Sequence, residues 1–301
     1  MGSDAGGVIL EPAARSFLDH LSESAAPPAP GRRASGAQLD EHWITVDGLR
    51  IRVVRPHRDT PSPPAVLYLH GGVRYRGNAD THRRIADQLA DQAGAVVLVP
   101  EHTAAGGMRY PESRDRVYHL TRWLVDNAAA LDVDPTRLAM VGDSVGGTLA
   151  IAVAFRAVQR GEFAFRQLVV FYPATDATGE TLSQNRFADG HYLRRADMRA
   201  FWDGYAASAD QSRPEVSPLR ANSWELIGFP PSLIITAEAD VLRDEGEAFA
   251  AKLRAARVPT TAVRYEGMIH DFVVLDELAD TVGAKTAISQ AAAALRDAFG
   301  S

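Results

Sequence analysis

Cysteine is absent from the 301 residues. That excludes disulfides, a thiolate metal site and a cysteine nucleophile, and it suits a reducing cytoplasm, the location we expect. Long hydrophobic runs are missing too. No apolar stretch approaches the roughly 20 residues of a membrane span, and the N-terminus lacks the basic-then-apolar layout of a secretory signal. There is no basic stripe of the kind nucleic acid requires; the net charge is −6, with both signs interspersed. No H-E-x-x-H motif and no clustered His/Asp ligand set occurs, so neither a metal nor another cofactor is expected. Internal repeats are lacking, and the one low-complexity tract is the Pro/Ala stretch at 25–37, which reads as a linker.

What is present is a chain 46% hydrophobic, enough for a large core, at a size that one α/β unit can reach. Glu11 to Leu21 reads as a short helix with Pro12 in its first turn. Two strands, His42–Val46 and Leu49–Val54, flank Asp47-Gly48, a strong hairpin signal. Short apolar runs then alternate with helical patterns. The runs are AVLYLHGG, AVVLVP, RLAMVGD, QLVVFYP, SLIITA and Thr260–Tyr265. The helices are expected over 81–93, 113–131, 144–159, 245–256 and 281–299. This alternation predicts a mostly parallel central sheet with helices on both faces. Residues 174–230 break the rhythm: they are polar and Pro-bearing, with one helical patch at 196–207, and read as an insertion over one edge of the sheet.

The chemistry begins at Gly142-Asp143-Ser144-Val145-Gly146. This G-x-S-x-G lies where a strand-like run meets a helix-like run, the setting of a nucleophile elbow. A sharp turn there strains the serine backbone and lifts its hydroxyl clear. The glycines two before and two after come too close together to carry side chains. The following helix N-terminus favours an anion at the reacting oxygen.

A serine nucleophile needs a base, and the base needs an orienting acid, in the order Ser, acid, His for this kind of elbow. Of nine histidines, only His191 and His270 follow Ser144. His270, in YEGMIHDF after the last strand-like run, is the better placed. The loop after SLIITA offers Glu238, Asp240, Asp244 and Glu245. Asp240 at mid-loop is preferred, with Glu238 next. Asp271 adjoins His270, but adjacent side chains diverge, which disfavours it. Oxyanion donors are expected from the N–H of Val145 and from the Gly71-Gly72 loop that ends AVLYL.

These stretches resemble the hormone-sensitive-lipase-like branch of α/β-hydrolases, the bacterial family IV esterases. HGGV at 70–73 is similar to that family's HGGG, and GDSVGG at 142–147 to its GDSAGG. The segments around Asp240 and His270 resemble its acid and histidine segments, and FADGHYLRRADMRAFWDGY its cap-helix region. The similarity spans residue 40 to the C-terminus. It implies an α/β-hydrolase core over 41–174 and 226–301, with a small helical cap built from the N-terminal segment and linker, 1–40, and the insertion, 175–225. It implies that Ser144, Asp240 and His270 are catalytic and that Gly71, Gly72 and Val145 form the oxyanion hole. His70 would anchor the donor loop. Two departures stand out: Val73 replaces the third glycine, and VPEHTAAGGMRYPES at 99–113 replaces the family's DYR-L-A-P-E stretch.

The expected activity is a serine carboxylesterase acting on short-chain carboxylic esters through an acyl-enzyme, without a cofactor. Val73, Asp143, His191, Tyr192 and Tyr205 are candidates for contacting the small-molecule ester; Phe201 and Trp202 read rather as cap core. No nucleic acid or membrane partner is expected, and a homodimer paired through the last strand and helix is left open. The rival readings are an O- or N-deacetylase of a specialised metabolite using the same triad, a non-catalytic small-molecule receptor, and a lyase. The retained serine and histidine argue against the last two.

Overall fold

The computed structural model describes residues 7–23, 39–57, 60–72, 77–102 and 109–300. The linker at 25–37 and Val73 lie outside them, as does the middle of the unusual 99–113 stretch. A first helix, α1 (Pro12–Glu23), precedes the hairpin β1 (Leu39–Val46) and β2 (Leu49–Pro56). There follow β3 (Pro64–Leu69), α2 (Arg83–Ala93), β4 (Val96–Pro100), α3 (Glu112–Asp126), β5 (Asp134–Asp143), α4 (Ser144–Arg160) and β6 (Gln167–Phe171). Between β6 and the next strand come two further helices, α5 (Leu182–Arg186) and α6 (Arg195–Tyr205), and two short 3-10 turns. The chain closes with β7 (Ser232–Ala239), α7 (Arg243–Ala255), β8 (Thr260–Ile269) and α8 (Val282–Phe299).

The eight strands form one sheet in the order β1-β2-β4-β3-β5-β6-β7-β8. Only β2 is reversed, antiparallel to both its neighbours, β1 and β4; β3 through β8 are mutually parallel. Strands covered on both faces must be apolar at every position, and β3, β4 and β6 are buried throughout. Their side chains alternate between two cores. Val66 and Tyr68 face one side with Val97, Val141, Val169 and Ile235, against α2 and α8. Ala65, Leu67 and Leu69 face the other with Leu98, Met140, Leu168 and Ile234, against residues of α3, α4 and α7. Each fully buried Val, Leu or Ile contributes about 1.5–3 kcal/mol. The one-residue alternation therefore fixes the sheet's register, since a slip would exchange the two cores.

Two elements depart from the periodicity. The helix expected to reach Leu131 stops at Asn127, whose backbone and side-chain N–H groups both donate to the Trp123 carbonyl and end the ladder. The insertion holds α5 as well as α6, and five residues are too few to show a helical period. Among the described residues no helix is long and apolar enough to cross a membrane.

Candidate active site

The parallel strands bring the ends of β3, β5, β7 and β8 to one edge of the sheet, the usual place for a site in such a fold. Ser144 stands at the seam of β5 and α4 with φ 53°, a left-handed conformation that a serine adopts only under constraint. The constraint is visible in its neighbours. A Cβ on Gly142 would lie 2.6 Å from the Gly146 carbonyl oxygen, and one on Gly146 would collide with the backbone of Leu69 and His70. Only glycines let the turn close this tightly.

His270 follows β8, and its Nε2 lies 2.9 Å from Ser144 Oγ. Its Nδ1 lies 2.7 Å from Asp240 Oδ2, while Asp240 Oδ1 accepts the Leu242 N–H at 2.9 Å. All three side chains are buried. Of the four acids on the loop after β7, Asp240 is the one that meets the imidazole. Glu238 accepts the Gly267 N–H at 2.7 Å and so steadies the turn before His270. Asp244 accepts the Ser183 N–H at 2.7 Å, and Glu245 the Thr175 N–H at 2.6 Å, tying the start of the insertion to α7. Burial opposes charge on His270, but the carboxylates of Asp240 and Asp271 outweigh it and hold its pKa above the ordinary 6.5.

Asp143 takes a different place from the substrate contact expected for it. It is wholly buried, and both oxygens are engaged by protein: Oδ1 accepts from Tyr68 OH at 2.7 Å, and Oδ2 accepts the Gly71 N–H at 3.0 Å and faces His82 Nε2 at 3.3 Å. Burial would raise its pKa, yet the His82 charge and these hydrogen bonds hold it down. His82 is raised in turn, the Asp143 carboxylate prevailing over burial. Gly71 is thereby corrected as an oxyanion donor, because its N–H is turned inward to Asp143. Gly72 has φ 139°, a glycine's backbone, and Val145 lies in the first turn of α4, where helix N–H groups have no acceptor in the helix.

Two buried histidines support this loop. His70 stacks on His102 with ring centroids 4.2 Å apart, and His102 Nε2 lies 3.1 Å from the His70 carbonyl oxygen. Burial and the neighbouring His82 push His70 down to about 4, so it stands there neutral.

The remaining candidates sit inside the insertion. His191 meets Phe187 edge-on at 5.0 Å, Tyr192 meets Phe17 of α1 at 5.5 Å, and Tyr205 stacks on Phe201 at 5.2 Å. All three are nearly buried. Sequence reasoning missed Tyr172, whose ring lies 4.6 Å from that of His270. It also missed Arg84 of α2, which grips the loop after His270, donating from Nη2 to the carbonyls of Val273, Val274 and Leu275 and from Nε to Asp276. Its only sequence signal was an arginine amid a helix, which reads as a solvated charge.

A doubly covered parallel sheet with a strained serine at a strand–helix seam defines the α/β-hydrolase class. The model of a family described as alpha/beta hydrolase fold matches residues 66–274. The chain is 38% identical over 240 residues to an ethyl acetate hydrolase of Pseudomonas putida, covering 78% of this chain and 75% of that one. It is 34% identical over 241 residues to the carboxylesterase NlhH of Mycobacterium tuberculosis, covering 78% and 76%. Its backbone superposes on the crystal structure of a thermostable esterase from Pseudomonas putida ECU1011 with a TM-score of 0.90 at 36% identity, covering 99% of both chains. Carboxyl esterase 2 from the fungus Tuber melanosporum gives 0.88 at 26% identity, covering 96% of this chain and 99% of that one. The chain belongs to the α/β-hydrolase family, in its hormone-sensitive-lipase-like branch of esterases.

Proposed function

We propose that this protein is a serine carboxylesterase that cleaves short-chain esters through an acyl-enzyme. The observation that carries the reading is the unbroken buried chain from Asp240 to His270 to Ser144, at 2.7 and 2.9 Å. Ser144 Oγ attacks the ester carbonyl as its proton passes to His270 Nε2. Asp240 keeps the other ring proton on Nδ1 and stabilises the imidazolium. The N–H groups of Gly72 and Val145 face the developing oxyanion, each donor of this kind being worth a few kcal/mol at the transition state. The imidazolium then protonates the departing alkoxide, and water, activated by the same nitrogen, releases the acid.

The cap reading belongs to this proposal. The insertion is clipped to the acid loop: Ser183 Oγ donates to the Val241 carbonyl and accepts the Asp244 N–H. It also meets α1 through Phe17 and Tyr192. The similarity to an ethyl acetate hydrolase supports a short acyl chain. We place the enzyme in the cytoplasm, on a sequence without disulfides. A homodimer would pair through β8, an edge strand with an exposed first half.

The test is hydrolysis of p-nitrophenyl esters from acetate to dodecanoate by wild type and Ser144→Ala. A profile peaking at short chains, with a mutant reduced at least about 1,000-fold, is expected. A mutant retaining more than a few per cent of activity would overturn the nucleophile, and a peak at long chains would overturn the acyl preference.

A further inference from the structure

The catalytic nitrogen has a second carboxylate beside it. Asp271 Oδ1 lies 3.3 Å from His270 Nε2, the same nitrogen that reaches Ser144 Oγ at 2.9 Å. Adjacent side chains point apart on extended backbone. Here Asp271 has φ 61°, a left-handed conformation that swings its carboxylate back over the preceding ring. The turn is firmly built. The Asp271 carbonyl accepts the N–H groups of Val274 and Leu275 at 2.8 and 2.9 Å, and Arg84 clasps the carbonyls of Val273, Val274 and Leu275 from α2. The triad account does not use this carboxylate.

We propose that Asp271 is a positioning residue for the catalytic proton: it accepts the Nε2–H of the imidazolium form of His270 and thereby sets the pH at which His270 becomes available as a base. The inference rests on the triad reading above. Proton accounting makes the role concrete. When His270 is neutral, Nδ1–H donates to Asp240, and the Nε2 lone pair accepts the Ser144 O–H. When His270 is protonated, Nε2 carries a hydrogen that needs an acceptor. Ser144 Oγ is a weak one; the Asp271 carboxylate is a charged one, 3.3 Å from the same nitrogen. The resting imidazolium therefore rests on Asp271, and loss of that proton frees Nε2 for the serine. During turnover the same carboxylate stabilises the transient imidazolium.

The other charged and titratable groups near the ring leave this role to Asp271. Asp240, from the β7–α7 loop, is occupied at Nδ1. Asp143, at the end of β5, is bound by Tyr68, Gly71 and His82. Tyr172, after β6, is raised by burial and by the surrounding carboxylates and stays neutral. From α2, Arg84 is spent on loop carbonyls and Asp276, and His82 on Asp143. Burial raises Asp271 itself, against the charge of His270.

The variant is Asp271→Asn, which keeps shape and tolerates a left-handed backbone but removes the charge. The readouts are the pH dependence of kcat/KM on p-nitrophenyl acetate and the NMR titration of the His270 ring proton. Both acid transitions should move to lower pH by roughly 0.5–1 unit, and Asp271→Glu should move back toward wild type. Unmoved transitions in Asp271→Asn, with Ser144→Ala and Asp240→Asn both inactive, would overturn the proposal and leave the triad standing. If Ser144→Ala stayed active, the triad reading itself would fall, whatever Asp271 does.

Discussion

Two aspartates stand next to catalytic groups, Asp143 one residue before Ser144 and Asp271 one residue after His270, and their surroundings differ. Asp143 is enclosed at the end of β5 among Tyr68, Gly71 and His82, with a donor for each oxygen. Asp271 lies on a loop with its side chain 23% exposed, and its carboxylate faces the catalytic ring. The first has its pKa lowered and the second raised. Proximity to a catalytic residue does not settle an acid's role; the number of fixed donors does. A carboxylate saturated by protein N–H and O–H groups serves as a tether, whereas one with capacity left over can respond to a proton that comes and goes.

The sharpest way to break this contrast is to unseat the tether. Asp143→Asn keeps the volume but presents an NH2 where three donors converge. The donor loop should shift, and kcat/KM on p-nitrophenyl acetate should fall about 100-fold, the scale of one lost oxyanion donor. His82 would lose its anion while still buried, so stability should fall by about 2–3 kcal/mol near neutral pH. Thermal denaturation and steady-state rates read both effects. A variant within twofold of wild type in rate would mean that Asp143 does not hold the loop.

On the other side, the clamp that holds Asp271 and His270 in place is Arg84. Arg84→Met leaves three loop carbonyls and Asp276 without their cation. We expect kcat to fall about 10-fold with KM little changed, because the loss is of orientation rather than of substrate contact. A rise in KM at constant kcat would place Arg84 on the binding side instead.

Much of this architecture was legible from composition and period. Apolar runs such as AVLYL and QLVVF read as doubly covered strands, and the seam at Ser144 read as a turn, since only local sequence is needed to see either. Ser144, Asp240 and His270 were singled out by chain order and by their place after strands, and the structure sets them within hydrogen-bond reach. The roles of Asp143, Gly71, Arg84 and Asp271 were not legible. Each depends on contacts across the sheet or on one backbone angle. Asp271 was discounted on a rule about adjacent side chains that fails at φ 61°. The helix α5 escaped because five residues carry no period.

The smallest effect on activity is expected at a carboxylate of a third kind, far from the proton path. Glu245 is fully buried and accepts the backbone N–H groups of Thr175 and Asp176 and the Gln184 side chain. Burial raises it to about 8 in spite of those donors, from an ordinary 4.5. The sign follows from linkage: a pKa higher in the folded state means that folding favours the protonated form. Its contribution to stability is full below pH 4.5 and is lost as pH rises through about 8. Glu245→Gln cannot ionise but keeps an oxygen for the two backbone donors. Over this window wild type should lose stability relative to the variant by at most about 1.4 kcal/mol per pH unit, with kcat changed less than about twofold. Urea unfolding at pH 5, 7 and 9 measures the difference. Parallel pH profiles for the two proteins would show that Glu245 stays ionised in the fold, saturated like Asp143, and would leave Asp271 as the one carboxylate here that answers to pH.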